Sequence, residues 1–431
     1  MTQHLPSSQV AQVEFKSFAL SKALIERIDA LGYRHPTAVQ QASIPIILDG
    51  ADLQAHAKTG SGKTAAFALP LLHLMENNET TYDAREARCL VLVPTRELAQ
   101  QVADSFMSYG AGLNGVIKVR AVFGGVSVNE QMQVLGRGVD VLVATPGRLL
   151  DLVKQNAVQL SKIQHLVLDE ADRMLNLGFQ EELAELLDML PSQKQTLFFS
   201  ATFPEDVAEL SHRLLQAPQV VSVENQVSAQ QLVQRVIEVN RNQKTALLMH
   251  MLSTEPWRQV LVFASAKVSC NRLQTKLKQS GIEAKVFHGD QAQGNRTKVL
   301  EDFKNGDIRV LIATDIAARG IDVESLDVVI NMELPRSPAD YMHRIGRTGR
   351  AGKSGLAISL ISHDEYQHFQ LIEKKNKLRL KREHIPNFEP DLEAPADCPS
   401  RKPKPVAKPA GTGKKKRKKN EQLNAEVWGK K

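Results

Sequence analysis

Ala57-Lys58-Thr59-Gly60-Ser61-Gly62-Lys63-Thr64 has the composition of a phosphate cradle. Lys63 can reach the β- and γ-phosphates of a nucleotide, and the Thr64 hydroxyl is a hard oxygen ligand for Mg²⁺. Gly60 and Gly62 keep the turn permissive, so that consecutive backbone N–H groups can surround one anion. The common pattern opens with Gly, and Ala57 takes that place. A second cluster, Asp169-Glu170-Ala171-Asp172, closes an apolar run that begins at His165. A third sets Arg344, Arg347 and Arg350 three apart, either as one solvated helix face with ordinary salt bridges or as a cationic face for an anion.

These side chains need elements to hold them. A candidate strand, Asp52–His56, precedes the Gly-rich turn and a helix-like run, Thr64–Met75, follows it. That order puts the positive end of a helix behind the phosphates. Four more short runs, Cys89–Val93, Val139–Ala144, His165–Leu168 and Thr196–Phe199, are apolar on both faces, as a buried parallel sheet requires. Each ends in polar or special residues, the place where open α/β sheets bind ligands. A second series begins near Val233, with Val260–Ala264, Ala284–Phe287, Val310–Ala313, Val328–Met332 and Leu356–Leu360 as strands. It has no phosphate loop. The fold class is therefore α/β, two domains in tandem. Expected divisions are a flexible N-terminus (1–13), a first domain (14–216), a Gln/Val/Ser-rich linker (217–232), a second domain (233–384) and a tail (385–431).

Composition narrows the class. The 431 residues are 42% hydrophobic and 24% charged, as in a soluble globular protein. Neither a signal peptide nor an apolar run of membrane-spanning length stands out. Cys89, Cys270 and Cys398 form no disulfide framework or zinc knuckle and suit the cytosol. The net charge of +7 is unevenly placed: Ser400–Lys431 holds twelve Lys/Arg against two Asp/Glu, which leaves −3 for the rest. The body itself is not basic.

Taken together, the motifs identify a family. Asp169-Glu170-Ala171-Asp172 spells the name of the DEAD-box ATP-dependent RNA helicases, and the chain resembles that family, in its compact bacterial form, from about Phe15 to His363. The stretches around Phe15 and Gln40 resemble the upstream aromatic and Q motif, Ala57–Thr64 motif I, Pro94–Gln101 motif Ia, Gly124-Gly125 and Thr145–Arg148 motifs GG and Ib, and Ser200–Thr202 motif III. Further on, Val262–Lys267, Gln293-x-x-Arg296, Ala313–Asp322 and His343–Arg350 resemble motifs IV, IVa, V and VI.

The resemblance implies two RecA-like domains with parallel sheets that close over ATP and RNA. Asp169 would hold Mg²⁺ mostly through water, and Glu170 would orient or deprotonate the attacking water. Arg347 and Arg350 would act as arginine fingers. Asp322 would meet the ribose, and Gln40 with Phe15 the adenine. Arg96, Gly125, Thr145, Arg148, Gln293, Arg296, Thr314 and Gly320 would grip the RNA backbone, which positions RNA without reading its sequence. Asp172, Ser200, Thr202 and His343 would couple the ATP site to domain closure. RNA should then raise ATP hydrolysis, and unwinding should be local. Ribosome assembly and RNA decay are the expected settings, with ribosomal precursors or RNA-decay proteins as partners, in the cytoplasm and as a monomer. An ATP-gated RNA clamp or annealing chaperone is the alternative.

From about Ile385 periodicity fails, prolines space the chain out and Lys414–Lys419 is a solid basic block. This reads as a disordered tail, favoured as an RNA tether through phosphate contacts, with a solubility tail or a nuclear address as the alternatives. Trp428 within it is an isolated aromatic.

Overall fold

The computed structural model describes residues 13–57, 60–76, 85–113, 115, 117–223, 232–318, 326–349 and 354–391. Lys58, Thr59, Gly320, Asp322, Arg350, half of the expected linker (224–231) and the basic tail with Trp428 lie outside them. The described residues build two seven-stranded sheets in which every pairing is parallel.

The first sheet comprises β1 (Leu53–His56), β2 (Cys89–Leu92), β3 (Val119–Val122), β4 (Val141–Ala144), β5 (His165–Leu168), β6 (Gln195–Ser200) and β7 (Gln219–Ser222). Their order is β3-β4-β2-β5-β6-β1-β7. Alternation within each strand feeds two cores. Cys89, Val91 and Val167 face one that also takes Phe67, Phe106 and Ile44. Leu90, Leu92, Leu166 and Leu168 face the other, with Leu149, Met174 and Leu183. Burial on both faces is what made these runs continuously apolar.

The second sheet comprises β8 (Leu232–Glu238), β9 (Val260–Phe263), β10 (Ala284–Phe287), β11 (Val310–Ala313), β12 (Val328–Asn331), β13 (Gly355–Ile361) and β14 (Arg382–Glu383), in the order β10-β11-β9-β12-β13-β8-β14. Val260, Val262, Val310 and Ile312 pack on one side, and Leu261, Phe263, Leu311 and Ala313 on the other.

Strand order assembles the site. β5, β6 and β1 are neighbours, with Leu168 opposite Phe198 and His56 opposite Ser200. The phosphate turn, the acidic cluster and Ser200–Thr202 therefore leave the sheet side by side. The Ala57 N–H donates to the Ser200 carbonyl at 3.0 Å.

Two expected boundaries are corrected. Gln219–Ser222, read as linker, is the edge strand β7 paired with β1, and Leu232 is already the first residue of β8. The expected tail also begins too early. Ile385 and Phe388 pack against the second core, and the Asp391 N–H donates to Asn240 Oδ1 at 3.2 Å. Prolines break periodicity there without breaking burial. β3 went unread for the same kind of reason: as an edge strand with half-buried Arg120 and Ala121, it lacks a two-sided apolar run. Among the described residues, no helix is long and apolar enough to cross a membrane.

Candidate functional site

The phosphate turn is built by conformation and by a clamp. Gly60 and Gly62 have φ of +77° and +89°, a region that side-chain-bearing residues rarely enter. Gln40 lies over the turn, at the third position of the helix Ala38–Leu48. Its Nε2 donates to the Gly62 carbonyl at 3.0 Å and its Oε1 accepts the Thr37 N–H at 2.8 Å. A Cβ on Gly62 would fall 2.5 Å from that Nε2. Phe15 is buried in the first core, edge-on to Phe18 and Tyr33 at centroid distances of 6.1 and 6.5 Å. Here Gln40 is joined to the turn itself, and Phe15 to neighbouring aromatic rings.

Lys63 opens the helix Lys63–Glu76, and its Nζ stands 3.2 Å from Asp169 Oδ1, both side chains being at most 5% exposed. The contact is an ion pair without a hydrogen bond, and neither atom has a hydrogen-bond partner among the described residues. Burial alone would lower the Lys63 ammonium, but Asp169, Glu170 and Asp172 raise it above its usual range. Burial raises the Asp169 carboxyl, and the neighbouring Glu170 adds to this against the pull of Lys63. Glu170 sits in the left-handed region at φ +55° and ψ 48°, with its carboxylate paired to Arg173. Burial would raise this carboxyl too. Arg173, then Lys63, Arg347 and His343 overcome it and bring it to about 2.

Asp172 faces the other way. Its Oδ2 accepts the Thr202 hydroxyl at 2.7 Å and the Thr202 N–H at 3.1 Å, while Ser200 Oγ donates to the Thr202 carbonyl at 2.7 Å and accepts the Asp172 N–H at 3.3 Å. Three of the residues expected to couple the site to closure thus share one network.

The second half supplies positive charge. His343 and Arg347, on and just beyond the helix Pro338–Ile345, line a cleft with Arg173, Phe263, Asp315 and Asp340. The solvated-face reading of the arginines is overturned for both members that are described. Arg347 is 4% exposed. Arg344 is an internal clasp: it donates to both Asp315 carboxylate oxygens at 2.5 and 2.7 Å, to Asn331 Oδ1 at 3.0 Å and to the Glu333 carbonyl at 2.6 Å.

The remaining expected contacts divide. The Arg96 guanidinium lies against Gly125, where a Cβ would fall 1.9 Å from its Nη1. Thr145 and Thr314 are buried at strand ends. Arg148 Nη2 donates to the Val126 carbonyl at 3.0 Å, whereas its Nε and Nη1 are buried without a hydrogen-bond partner among the described residues. Gln293 and Arg296 reach across to the first half and meet Glu97, at 3.3 and 2.9 Å. Glu97 had no assigned role in the sequence. Its signal was present as the last member of the polar cluster after β2.

Residues 37–210 match the family model described as DEAD/DEAH box helicase, and residues 243–352 that of the helicase conserved C-terminal domain. The DEAD-box ATP-dependent RNA helicase CshA of Streptococcus pneumoniae is 40% identical over 370 residues, 86% of this chain and 69% of the relative. The chain belongs to the DEAD-box ATP-dependent RNA helicases. Another member, ATP-dependent RNA helicase DbpA of Bacillus subtilis, is 36% identical over 96% of this chain and 84% of its own.

Solved DEAD-box structures agree with the fold. Dbp5 of Saccharomyces cerevisiae bound to RNA and ADP BeF3 matches with a TM-score of 0.73 at 28% identity, covering 87% of this chain and 96% of that one. A DEAD box protein from Methanococcus jannaschii reaches only 0.51 despite 38% identity, over 86% and 99% of the two chains.

The residues of this DEAD-box chain suit ATP and Mg²⁺. Lys63 and Asp169 keep buried polar atoms without hydrogen bonds at the mouth of the turn. Among the described residues no group of three or more His, Cys, Asp or Glu could hold a metal by itself. An ion here would depend on one carboxylate, the Thr64 hydroxyl, phosphate oxygens and water, which is how Mg²⁺ is usually bound.

Proposed function

We propose that the chain is an RNA-dependent ATPase that separates short RNA duplexes or remodels RNA–protein complexes, with ribosome assembly or RNA decay as its setting. One observation carries the reading: the hydrolytic carboxylates Asp169 and Glu170 stand on the first half, and the charge of Arg347 and His343 reaches Glu170 from the second. A site divided in this way is complete only when the halves meet.

In this reading the turn Ala57–Thr64 binds the phosphates, Lys63 meets the β- and γ-phosphates, and Thr64 with Asp169 holds Mg²⁺. The ion supplies neutralisation of developing phosphate charge. Glu170, whose carboxylate is paired with Arg173, orients or deprotonates the attacking water. Arg347 and Arg350 stabilise charge on the transferred phosphoryl group. Gln40 and Phe15 support the adenine side, and Asp322 the ribose. Arg96, Gly125, Thr145, Arg148, Gln293, Arg296, Thr314 and Gly320 form the RNA track. Asp172, Ser200, Thr202 and His343 transmit closure. RNA bound across both halves stabilises the closed state and so raises turnover.

The test is steady-state ATP hydrolysis with and without single-stranded RNA, with strand separation of a short duplex measured in parallel. RNA-stimulated turnover with ATP-dependent separation is expected. Turnover indifferent to RNA would refute the proposal.

A further inference from the structure

We propose that Arg173 is a further positioning residue for hydrolysis: one guanidinium nitrogen fixes the Glu170 carboxylate, and the other faces the cleft where water and γ-phosphate would meet. This rests on the ATPase reading above.

Arg173 holds Glu170 at both ends. Its Nη1 pairs with Glu170 Oε2, the two side chains being 4% and 6% exposed, and its backbone N–H donates to the Glu170 carbonyl at 2.9 Å. Glu170 needs such restraint. Its left-handed backbone is a costly conformation for a side-chain-bearing residue and persists only where the surroundings over-determine it. With the backbone and one carboxylate oxygen fixed from the next helical turn, the other oxygen has a defined direction.

The second nitrogen is the more telling feature. Arg173 Nη2 is buried and has no hydrogen-bond partner among the described residues. Arg173 lines the cleft that Asp340, His343 and Arg347 enter from the second half. A buried cationic donor left unfilled is unfavourable, and an arriving phosphate oxygen or water would satisfy it. A planar guanidinium holds a carboxylate and a second acceptor in fixed, separated directions that a single ammonium does not reproduce, so Lys is an incomplete substitute. The plainer alternative is that Arg173 merely neutralises Glu170 in the folded core.

ATP turnover at saturating single-stranded RNA distinguishes these. The variants are R173Q, R173K, E170Q and E170Q/R173Q, with binding of a non-hydrolysable ATP analogue and Tm measured on each. R173Q is expected to lower kcat at least about tenfold while KM for ATP and analogue affinity stay within about twofold. R173K should recover part of that loss, and R173Q should cost nothing further in the E170Q background, since it acts through Glu170. Wild-type kcat in R173Q would overturn the proposal. So would an undiminished further loss in the double variant, or a loss confined to analogue binding or Tm. Failure of the underlying ATPase reading would show in the wild type, whereas failure of this proposal shows only in the Arg173 variants.

Discussion

Arg296 Nη2 lies 2.9 Å from Glu97 Oε1, an ion pair between the two halves with side chains 6% and 8% exposed. Gln293 donates to the same oxygen at 3.3 Å. One carboxylate of the first half thus receives two side chains from one face of a helix in the second.

Removing one member of a buried pair strands the other, at a cost of about 3–5 kcal/mol in general. Here that cost falls on the closed arrangement. Glu97→Ala should therefore lower RNA-stimulated turnover at least about tenfold. ATP binding by the first half should be retained. In Glu97→Ala/Arg296→Ala the loss should be no greater than in the worse single variant. Additive losses, read from the four turnover rates, would mean that the two residues act separately.

Gly62→Ala tests the turn. Its φ of +89° would strain Ala by about 1–3 kcal/mol. The new methyl would also meet Gln40 Nε2, itself pinned between Thr37 and the turn. ATP affinity measured by titration should fall at least about tenfold, and Tm should fall by a few degrees because the strain is carried by the folded state.

Lys63→Ala and Glu170→Gln should separate binding from hydrolysis. Lys63→Ala removes the cation beside Asp169 and should weaken ATP binding. Glu170→Gln keeps the side chain's shape, so ATP and RNA should still bind while turnover drops by about 10²-fold or more. Normal turnover in Glu170→Gln would remove its water-orienting role.

Acid stability should depend on Glu373. It takes Arg382 Nη1 and Nη2 at 3.0 and 2.7 Å and the Leu380 N–H at 3.1 Å. The Arg382 hydrogen bonds hold its carboxyl below the ordinary value of 4.5. A lowered folded value means that the unfolded chain binds the proton first. Glu373 therefore stabilises the fold above about pH 4.5, and this is lost as pH falls through the lower folded value. Glu373→Gln should cost about 1 kcal/mol at pH 7, and denaturant titrations should show the difference closing as pH drops below 4.

Much was legible in one dimension because the chemistry is local there. The turn Ala57–Thr64 needs particular residues at adjacent positions, and strands buried on both faces must be apolar throughout, so β2, β4, β9, β11 and β12 could be read from their runs. The acidic cluster was found because it closes such a run. Edge strands carry a weaker pattern: β7 exposes most of its residues, and Gln219–Ser222 therefore looked like linker.

What residues do to one another at long range was decided by tertiary structure. Spacing left Arg344 and Arg347 as a solvated face or a cationic one, and only packing against Asp315 and Asn331 made Arg344 an internal clasp. Glu97 looked like one polar residue among several until the second half brought Arg296 to it. Arg173 carried no motif signal at all. Its meaning arises because Glu170, left-handed at its backbone, pairs with it, and because the strand order β5-β6-β1 sets the acidic cluster beside Lys63. A sequence fixes the residue types and their local periodicity, whereas partners for buried charges are chosen by the approach of distant segments in a medium where an unpaired charge is costly.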